Sequence, residues 1–239
     1  MGRVRLPGAS RFWRLSWFLT LVVLGWAIRE WRPPALSGTL STPARSPFHP
    51  IQFNPREDLS AGKFLVASRR LGDPNFSQSV VLLVHYSSRA AAGVIINRPT
   101  KLPLSRALEE MAEAKGKTEP LYFGGPVGGS DVMALLRSNT APPDGTRVLG
   151  DVYMISSKVL LQKTLAAGST SSTLRVFFGY SGWGAGQLDA EVGLGAWVIL
   201  PGDPALVFDA HPDTLWDRLM NKLNQKLALD TVDLRASRS

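Results

Sequence analysis

Apolar and polar positions fall into three different rhythms along this chain. Near the start, an uncharged run, Leu15–Ile28, is preceded by Arg3, Arg5, Arg11 and Arg14 and closed by Arg29, Glu30 and Arg32. From 32 to 59 the apolar period vanishes. Pro33, Pro34, Pro43, Pro47, Pro50 and Pro55 stand among Ser, Thr and Arg, a composition that reads as an extended linker without a core. From about Leu59 or Ala61 short apolar runs return. Phe64–Ala67, Ser79–Tyr86, Ala91–Ile96, Leu121–Phe123, Val132–Leu136 and Val152–Ile155 read as strands, with Ala205–Phe208 as a last short one. Pro103–Ala114 carries Leu104, Ala107, Leu108 and Met111 at helical spacing, with Glu109, Glu110 and Glu113 outward. Ser156 is placed to cap a helix through Ala166, and Pro212–Leu229 closes the domain with Leu215, Trp216, Leu219, Leu223 and Leu227 on one face.

Irregular alternation of strands and helices predicts an α/β (α+β) fold: a single compact mixed, largely antiparallel sheet domain with flanking helices, preceded by an N-terminal transmembrane helix. The expected division is a basic N-terminus (1–14), a transmembrane signal-anchor (15–31), a Pro-rich linker (32–59), the folded domain (60–230) and a frayed tail (231–239).

The stretch Gly179–Trp197, GYSGWGAGQLDAEVGLGAW, interrupts this rhythm. It follows the apolar run Leu174–Phe178 and concentrates six glycines and two tryptophans before the run Ala196–Leu200. A strand breaking into a glycine-rich turn, then a short polar helix or bend, then another strand is the expected path. So much conformational freedom in one place implies an unusual backbone route.

Net charge, +8 in 239 residues, refines the picture through its location. Residues 1–59 carry eight Arg against three acids, whereas residues 60–239 carry nineteen basic and sixteen acidic residues. The basicity therefore reflects membrane topology more than nucleic-acid binding, which the folded domain is not expected to perform. Fourteen helical residues span about 21 Å, short of a hydrocarbon core of about 30 Å. Arg14 extends that reach by snorkelling, and Phe12, Trp13 and Trp17 on one side with Trp26 and Trp31 on the other suit the interfaces. The charge asymmetry predicts a single-pass membrane protein with its C-terminal domain outside the cytoplasm. The alternative is a cleaved signal peptide, with Gly25-Trp26-Ala27 at cleavage spacing and a secreted or periplasmic product. Cysteine is absent, which removes disulfides and thiolate metal sites.

Candidate chemistry is sparse. Gly182, Gly184 and Gly186 precede a possible helical turn near Gln187, as in phosphate loops, but the spacing matches neither dinucleotide nor P-loop patterns. A turn that lets Trp183 pack is the simpler reading. Asp189 and Glu191 read as solvating a short helix rather than as an acid/base pair. His85 beside Ser87 and Ser88, or His211 after Asp209, would serve a hydrolase or transferase, without a nucleophile-elbow sequence to support it. Three scattered histidines predict no metal, and no cofactor is expected. Arg98, held between Asn97 and Pro99 with Asp73 as a partner, is either a structural pair or an anion contact.

Together these residues resemble the YqgE/AlgH family of bacterial proteins. The similarity runs through Gly62-Lys63-Phe64-Leu65-Val66-Ala67, Asp73-Pro74-Asn75-Phe76, Ser79-Val80-Val81 and His85. It continues in Gly93-Val94-Ile95-Ile96-Asn97-Arg98-Pro99 and Gly124-Gly125-Pro126-Val127. Its most specific block is Gly179-Tyr180-Ser181-Gly182-Trp183 with Gly186-Gln187-Leu188, Glu191 and Trp197, followed by Val207-Phe208-Asp209 and Trp216. The resemblance covers about residues 60–220. It implies one compact α/β domain without an established catalytic activity. One branch of the family is associated with regulation of alginate production and is often called a transcriptional regulator. The anchor and linker depart from the usual short, soluble members and set a DNA-binding role in doubt.

The expected function is thus a non-enzymatic, membrane-tethered regulatory module that binds a protein or a small anionic ligand. Its site is expected to gather Asp73, Asn97 and Arg98 with Gly182, Trp183, Gly186 and Gln187, since loops at strand ends carry function. The alternatives are a transcriptional regulator binding DNA and the hydrolase or transferase using His85 or His211.

Overall fold

A computed structural model describes residues 59–236. The segments expected at 1–58 lie outside the described residues; among those described, no helix is long and apolar enough to cross a membrane.

Ten strands form one curled, mixed sheet: β1 (Lys63–Ala67), β2 (Val80–Tyr86), β3 (Ala91–Ile95), β4 (Pro99–Pro103), β5 (Pro120–Phe123), β6 (Val127–Arg137), β7 (Thr146–Leu149), β8 (Val152–Ile155), β9 (Leu174–Trp183) and β10 (Trp197–Pro201). The order is β10-β1-β2-β3-β9-β6-β8-β7, antiparallel throughout, with β5 pairing β9 in parallel and β4 pairing β5. Among the described residues five helices attach to it: α1 (Leu104–Ala107), α2 (Lys158–Ala166), α3 (Gln187–Gly193), α4 (Pro204–Val207) and α5 (Leu215–Ala236), with 3-10 turns at Ala112–Ala114 and Pro212–Thr214. The curl brings the two ends of the order together. A Cβ placed on Gly62, just before β1, would lie 2.8 Å from the carbonyl oxygen of Val148 in β7.

The central strand explains the two-sided core. Side chains alternate faces along a strand, and in β9 Leu174 and Val176 enter one apolar cluster while Phe177 enters the other. Leu121 and Tyr122 in β5, and Ala134 and Leu135 in β6, divide the same way. The smaller cluster lies under α1, the Ala112–Ala114 turn and α2; the larger is enclosed by β1, β2, β3 and β10 with α3 and α5. Burial on both faces is why the run Leu174–Phe178 reads as continuously apolar. Each large side chain so buried contributes about 2–3 kcal/mol.

Several expectations are corrected. The run Ala205–Phe208 is helical, because Asp203 caps the Ala205 N–H at 2.8 Å and Pro204 stands at the first helical position. Pro103–Ala114 is not one helix: α1 ends after one turn, and Met111 is extended before the short 3-10 turn. Leu104, Leu108 and Met111 all still reach the smaller cluster, so the apolar spacing is satisfied without a continuous helix. Strands β4 and β7 carry no branched apolar run and were not anticipated. The cap of α2 is Ser157, which accepts from Leu160 N–H, one residue later than Ser156. The closing helix starts at Leu215 and continues through Ala236, past the expected frayed end.

The glycine-rich stretch does not begin with a turn. β9 runs on to Trp183, pairing Ser181 with Gly93 in β3 and Tyr180 with Val127 in β6. Gly179 sits at φ +64°, and there the β6 register jumps from Val127 to Val132. A Cβ on Gly179 would lie 2.3 Å from the Gly125 carbonyl oxygen, and one on Gly124 would lie 2.3 Å from the Gly179 carbonyl oxygen. The two glycine motifs are therefore one feature, two backbones in mutual contact. Gly179→Ala would combine a left-handed backbone with a backbone clash, so urea denaturation should show a loss of roughly 3 kcal/mol or more. A loss below about 1 kcal/mol would refute the close approach.

Candidate functional site

Two clusters of bonded side chains hold the residues expected at the site, and one loop joins them. The loop, 73–79, folds on itself: Asp73 Oδ1 accepts the Asn75 N–H at 2.8 Å, and the Asp73 carbonyl accepts the N–H of Phe76 and of Ser77. Gln78 takes φ +56°, a conformation that costs a non-glycine residue about 1 kcal/mol. The next residues of the sheet hold it there. Buried Asn97 accepts the Val80 N–H through Oδ1 at 2.8 Å and donates Nδ2 to the Gln78 carbonyl at 2.9 Å. Arg98 donates Nη1 to the Asn75 carbonyl and Nη2 to the Ser77 carbonyl. Burial lowers the Arg98 pKa, and the carboxylate of Asp73 works in the opposite direction. Arg98 thus clamps backbone, in place of the carboxylate pairing or anion contact considered from sequence.

The second cluster centres on Glu191. Its Oε2 accepts the indole N–H of Trp183 at 2.9 Å and of Trp197 at 2.8 Å, and its Oε1 accepts Gln187 Nε2 at 3.0 Å. Gln187 in turn accepts the Gly184 N–H at 3.1 Å. Gln187 and Glu191 lie four apart on α3, on one face, between the last residue of β9 and the first of β10. Gly186, at φ +69°, turns the chain into that helix, while Gly182 remains in β9 opposite Ala92. The amide that a phosphate loop would present is engaged by Gln187. Asp189 accepts the Tyr86 hydroxyl at 2.9 Å, so neither acid of α3 merely solvates the helix, as the sequence had led us to expect.

Phe76 is the bridge. Its ring stacks on Trp183 at 6.0 Å between centroids and meets Trp197 edge-on at 5.5 Å. The expected residues therefore converge through an aromatic side chain that sequence reasoning had not placed at the site.

Arg175 was missed as well. It is 2% exposed on β9, on the face of Phe177, and donates Nη1 to the Ile96 carbonyl at 3.0 Å and Nη2 to the Asp209 carbonyl. Its guanidinium lies 4.7 Å from the Tyr122 ring centroid. Burial lowers the Arg175 pKa, opposed by Tyr122 and Asp209; burial likewise raises that of Tyr122, opposed by Arg175. The signal was an arginine inside an apolar strand. By fixing Ile96 it supports Asn97 and Arg98 from behind.

An open cleft of about 620 Å³ lies beside this clamp, lined by Gln78, Asn97, Arg98, Phe123, Trp216 and Asp217 together with Ser77, Pro99, Thr100 and Asp213. Asn97 and Arg98 are the only expected site residues on it. His85 and His211 are both exposed. His85 stands in β2 opposite Ala92, and His211 precedes the Pro212–Thr214 turn, its N–H bonded to Asp209. Among the described residues no group of His, Asp or Glu is arranged to hold a metal ion.

A curled mixed sheet stapled by a tryptophan–glutamate cluster and an arginine clamp defines an α+β domain. A sequence model of the AlgH-like family matches residues 64–228, and the chain belongs to the YqgE/AlgH family. The UPF0301 protein AlgH of Pseudomonas aeruginosa is 35% identical over 174 residues, 71% of this chain and 91% of the relative. A UPF0301 protein of Streptomyces avermitilis is 33% identical over 177 residues, 70% of this chain and 89% of the relative. The solution structure of AlgH from P. aeruginosa is similar with a TM-score of 0.58 and 31% identity, covering 80% of this chain and 97% of that one. The crystal structure of protein DIP2367 from Corynebacterium diphtheriae shares the fold, with a TM-score of 0.59 at 23% identity over 69% of this chain and 87% of that one.

Glu191→Ala leaves three donors without an acceptor and should cost about 3 kcal/mol in denaturant unfolding and alter tryptophan near-UV dichroism, with Glu191→Gln recovering part of both. An unchanged unfolding midpoint in the alanine variant would exclude the cluster as a staple.

Acid stability gives a separate check. Burial tends to raise the pKa of Asp209, but the hydrogen bonds from Arg218 (2.7 Å) and the His211 N–H, with the charges of Arg218 and Arg175, lower it overall. A depressed carboxylate contributes stability above its unfolded pKa and loses it as pH falls through the folded one. Arg218→Met should therefore lower stability at pH 7 and flatten its decline below about pH 4, read from urea midpoints across pH 2.5–7. An equally steep decline would exclude this pair.

Proposed function

We propose that the chain is a non-enzymatic binding module, tethered to the membrane by its N-terminal segment, that docks a protein segment in the cleft beside Arg98 in a regulatory role. The observation that carries this reading is the division of labour among polar groups. Those of the family motifs (Asn97, Arg98, Gln187 and Glu191) hydrogen-bond within the fold and hold up one wall of the cleft. The side chains of Ser77, Gln78, Asp213 and Asp217 line the cleft and have no hydrogen-bond or ion-pair partner among the described residues. A rigid support beside a row of unengaged polar groups suits recognition, because little order remains to be imposed on binding. An open cleft suits an extended chain better than an enclosed small molecule. Engagement of both terminal nitrogens of Arg98 by the Asn75 and Ser77 carbonyls turns the reading from a small anionic ligand to a protein.

A photo-crosslinking residue at Thr100 in the full chain should give a discrete adduct in cells. The same residue at Val159, which is 60% exposed on α2 and lines no part of the cleft, should not. Equal labelling from both positions would remove the docking reading. A topology reporter fused after Ser239 should report a location outside the cytoplasm; a cytoplasmic result would refute the orientation and readmit DNA binding.

A further inference from the structure

We infer that the occupant of the cleft is a cationic, extended segment of a partner protein, with an Arg or Lys side chain set between Phe123 and the carboxylates of Asp213 and Asp217. The inference rests on the docking reading above and adds the sign and chemistry of the partner. Among the described residues Arg98 is the only cation lining the cleft, and it is engaged: two of its nitrogens donate to the carbonyls of Asn75 and Ser77. With Arg98 turned onto the loop backbone, the other charges of the lining are the two aspartates. Both are exposed, and neither has an ion-pair or hydrogen-bond partner among the described residues.

Neighbouring aspartates are different. Asp73 closes a turn, Asp189 accepts the Tyr86 hydroxyl, Asp203 caps α4 and Asp209 pairs with Arg218. Asp213 lies in the 3-10 turn and Asp217 in the first turn of α5, where a helix dipole favours acids. The dipole explains acids at these places. It does not explain two carboxylates, unpaired among the described residues, lining a cleft whose cation is committed to the loop backbone.

The rest of the lining fits a guanidinium or ammonium group. Phe123 contributes half-buried aromatic surface to the lining; Trp216 is buried, with its indole N–H bonded to the Ala67 carbonyl and the guanidinium of Arg69 5.2 Å from its ring centroid. Ser77, Gln78 and Thr100 offer hydroxyl and amide groups to the backbone of an extended peptide. The cleft volume of about 620 Å³ exceeds one side chain and accommodates a short segment.

The experiment measures fluorescence anisotropy of labelled tetra-arginine and tetraglutamate peptides with the full chain. The chain carries +8, so unspecific attraction favours the tetraglutamate; a preference for tetra-arginine must come from a local site. Saturable tetra-arginine binding is expected. It should weaken about tenfold in Asp213→Asn/Asp217→Asn, by an intermediate factor in Asp217→Asn alone, and be lost in Ser77→Tyr, which fills the cleft. Unchanged thermal midpoints establish that each variant is folded. Tetraglutamate binding that Ser77→Tyr abolishes would preserve the cleft and overturn the cationic partner. Tetra-arginine binding indifferent to the aspartates would also overturn the inference, and indifference to Ser77→Tyr as well would overturn the docking reading with it.

Discussion

One carboxylate holds the domain's largest sequence motif in place. Glu191 stands where the end of β9, the helix α3 and the start of β10 meet, and it accepts both indole N–H groups and the Gln187 amide. A charged acceptor bonded to several donors is stronger than the same number of neutral bonds, and removing it would orphan all of them together. The tryptophans so fixed give Phe76 its two ring contacts, and Phe76 anchors the middle of the 73–79 loop. The bonding of one side chain is thereby transmitted to a loop in a distant part of the sequence.

The loop is held from its other flank by backbone chemistry. Asn97 and Arg98 satisfy carbonyls and an amide that a tight turn leaves without strand partners, which offsets the unfavourable φ of Gln78. Behind them Arg175 ties Ile96 to Asp209 through the larger core. Three layers therefore stand in sequence: a buried arginine, a clamp and a cleft wall. Asp213, in the 3-10 turn before α5, and Asp217, in the first turn of that helix, also line the cleft.

Strand runs with branched or alternating apolar residues were legible. The elements that escaped were those defined by pairing rather than by composition. Pro99–Pro103 is a strand because β5 lies beside it, and the five-residue run gives no period of its own. Ala205–Phe208 was misread because its apolar residues outweighed the Asp203-Pro204 start signal. At the site, spacing placed Gln187 near Trp183, but nothing local says that Glu191 reaches two tryptophans at once. Arg175 could be seen as an oddity in an apolar run; its carbonyl partners are 79 and 34 residues away and become visible only in three dimensions.

That arginine has a meaning before the fold exists. The run Leu174–Phe178 is β-prone and otherwise apolar, the kind of segment that stacks with copies of itself when a nascent chain is still open. In-register stacking repeats every 4.7–4.8 Å and would pile one guanidinium directly on the next, with no counter-charge in the run. A charge at that place in an apolar run opposes such stacking, as gatekeeper residues do. The native sheet accommodates it by supplying two carbonyls and a tyrosine face that an aggregate would not provide.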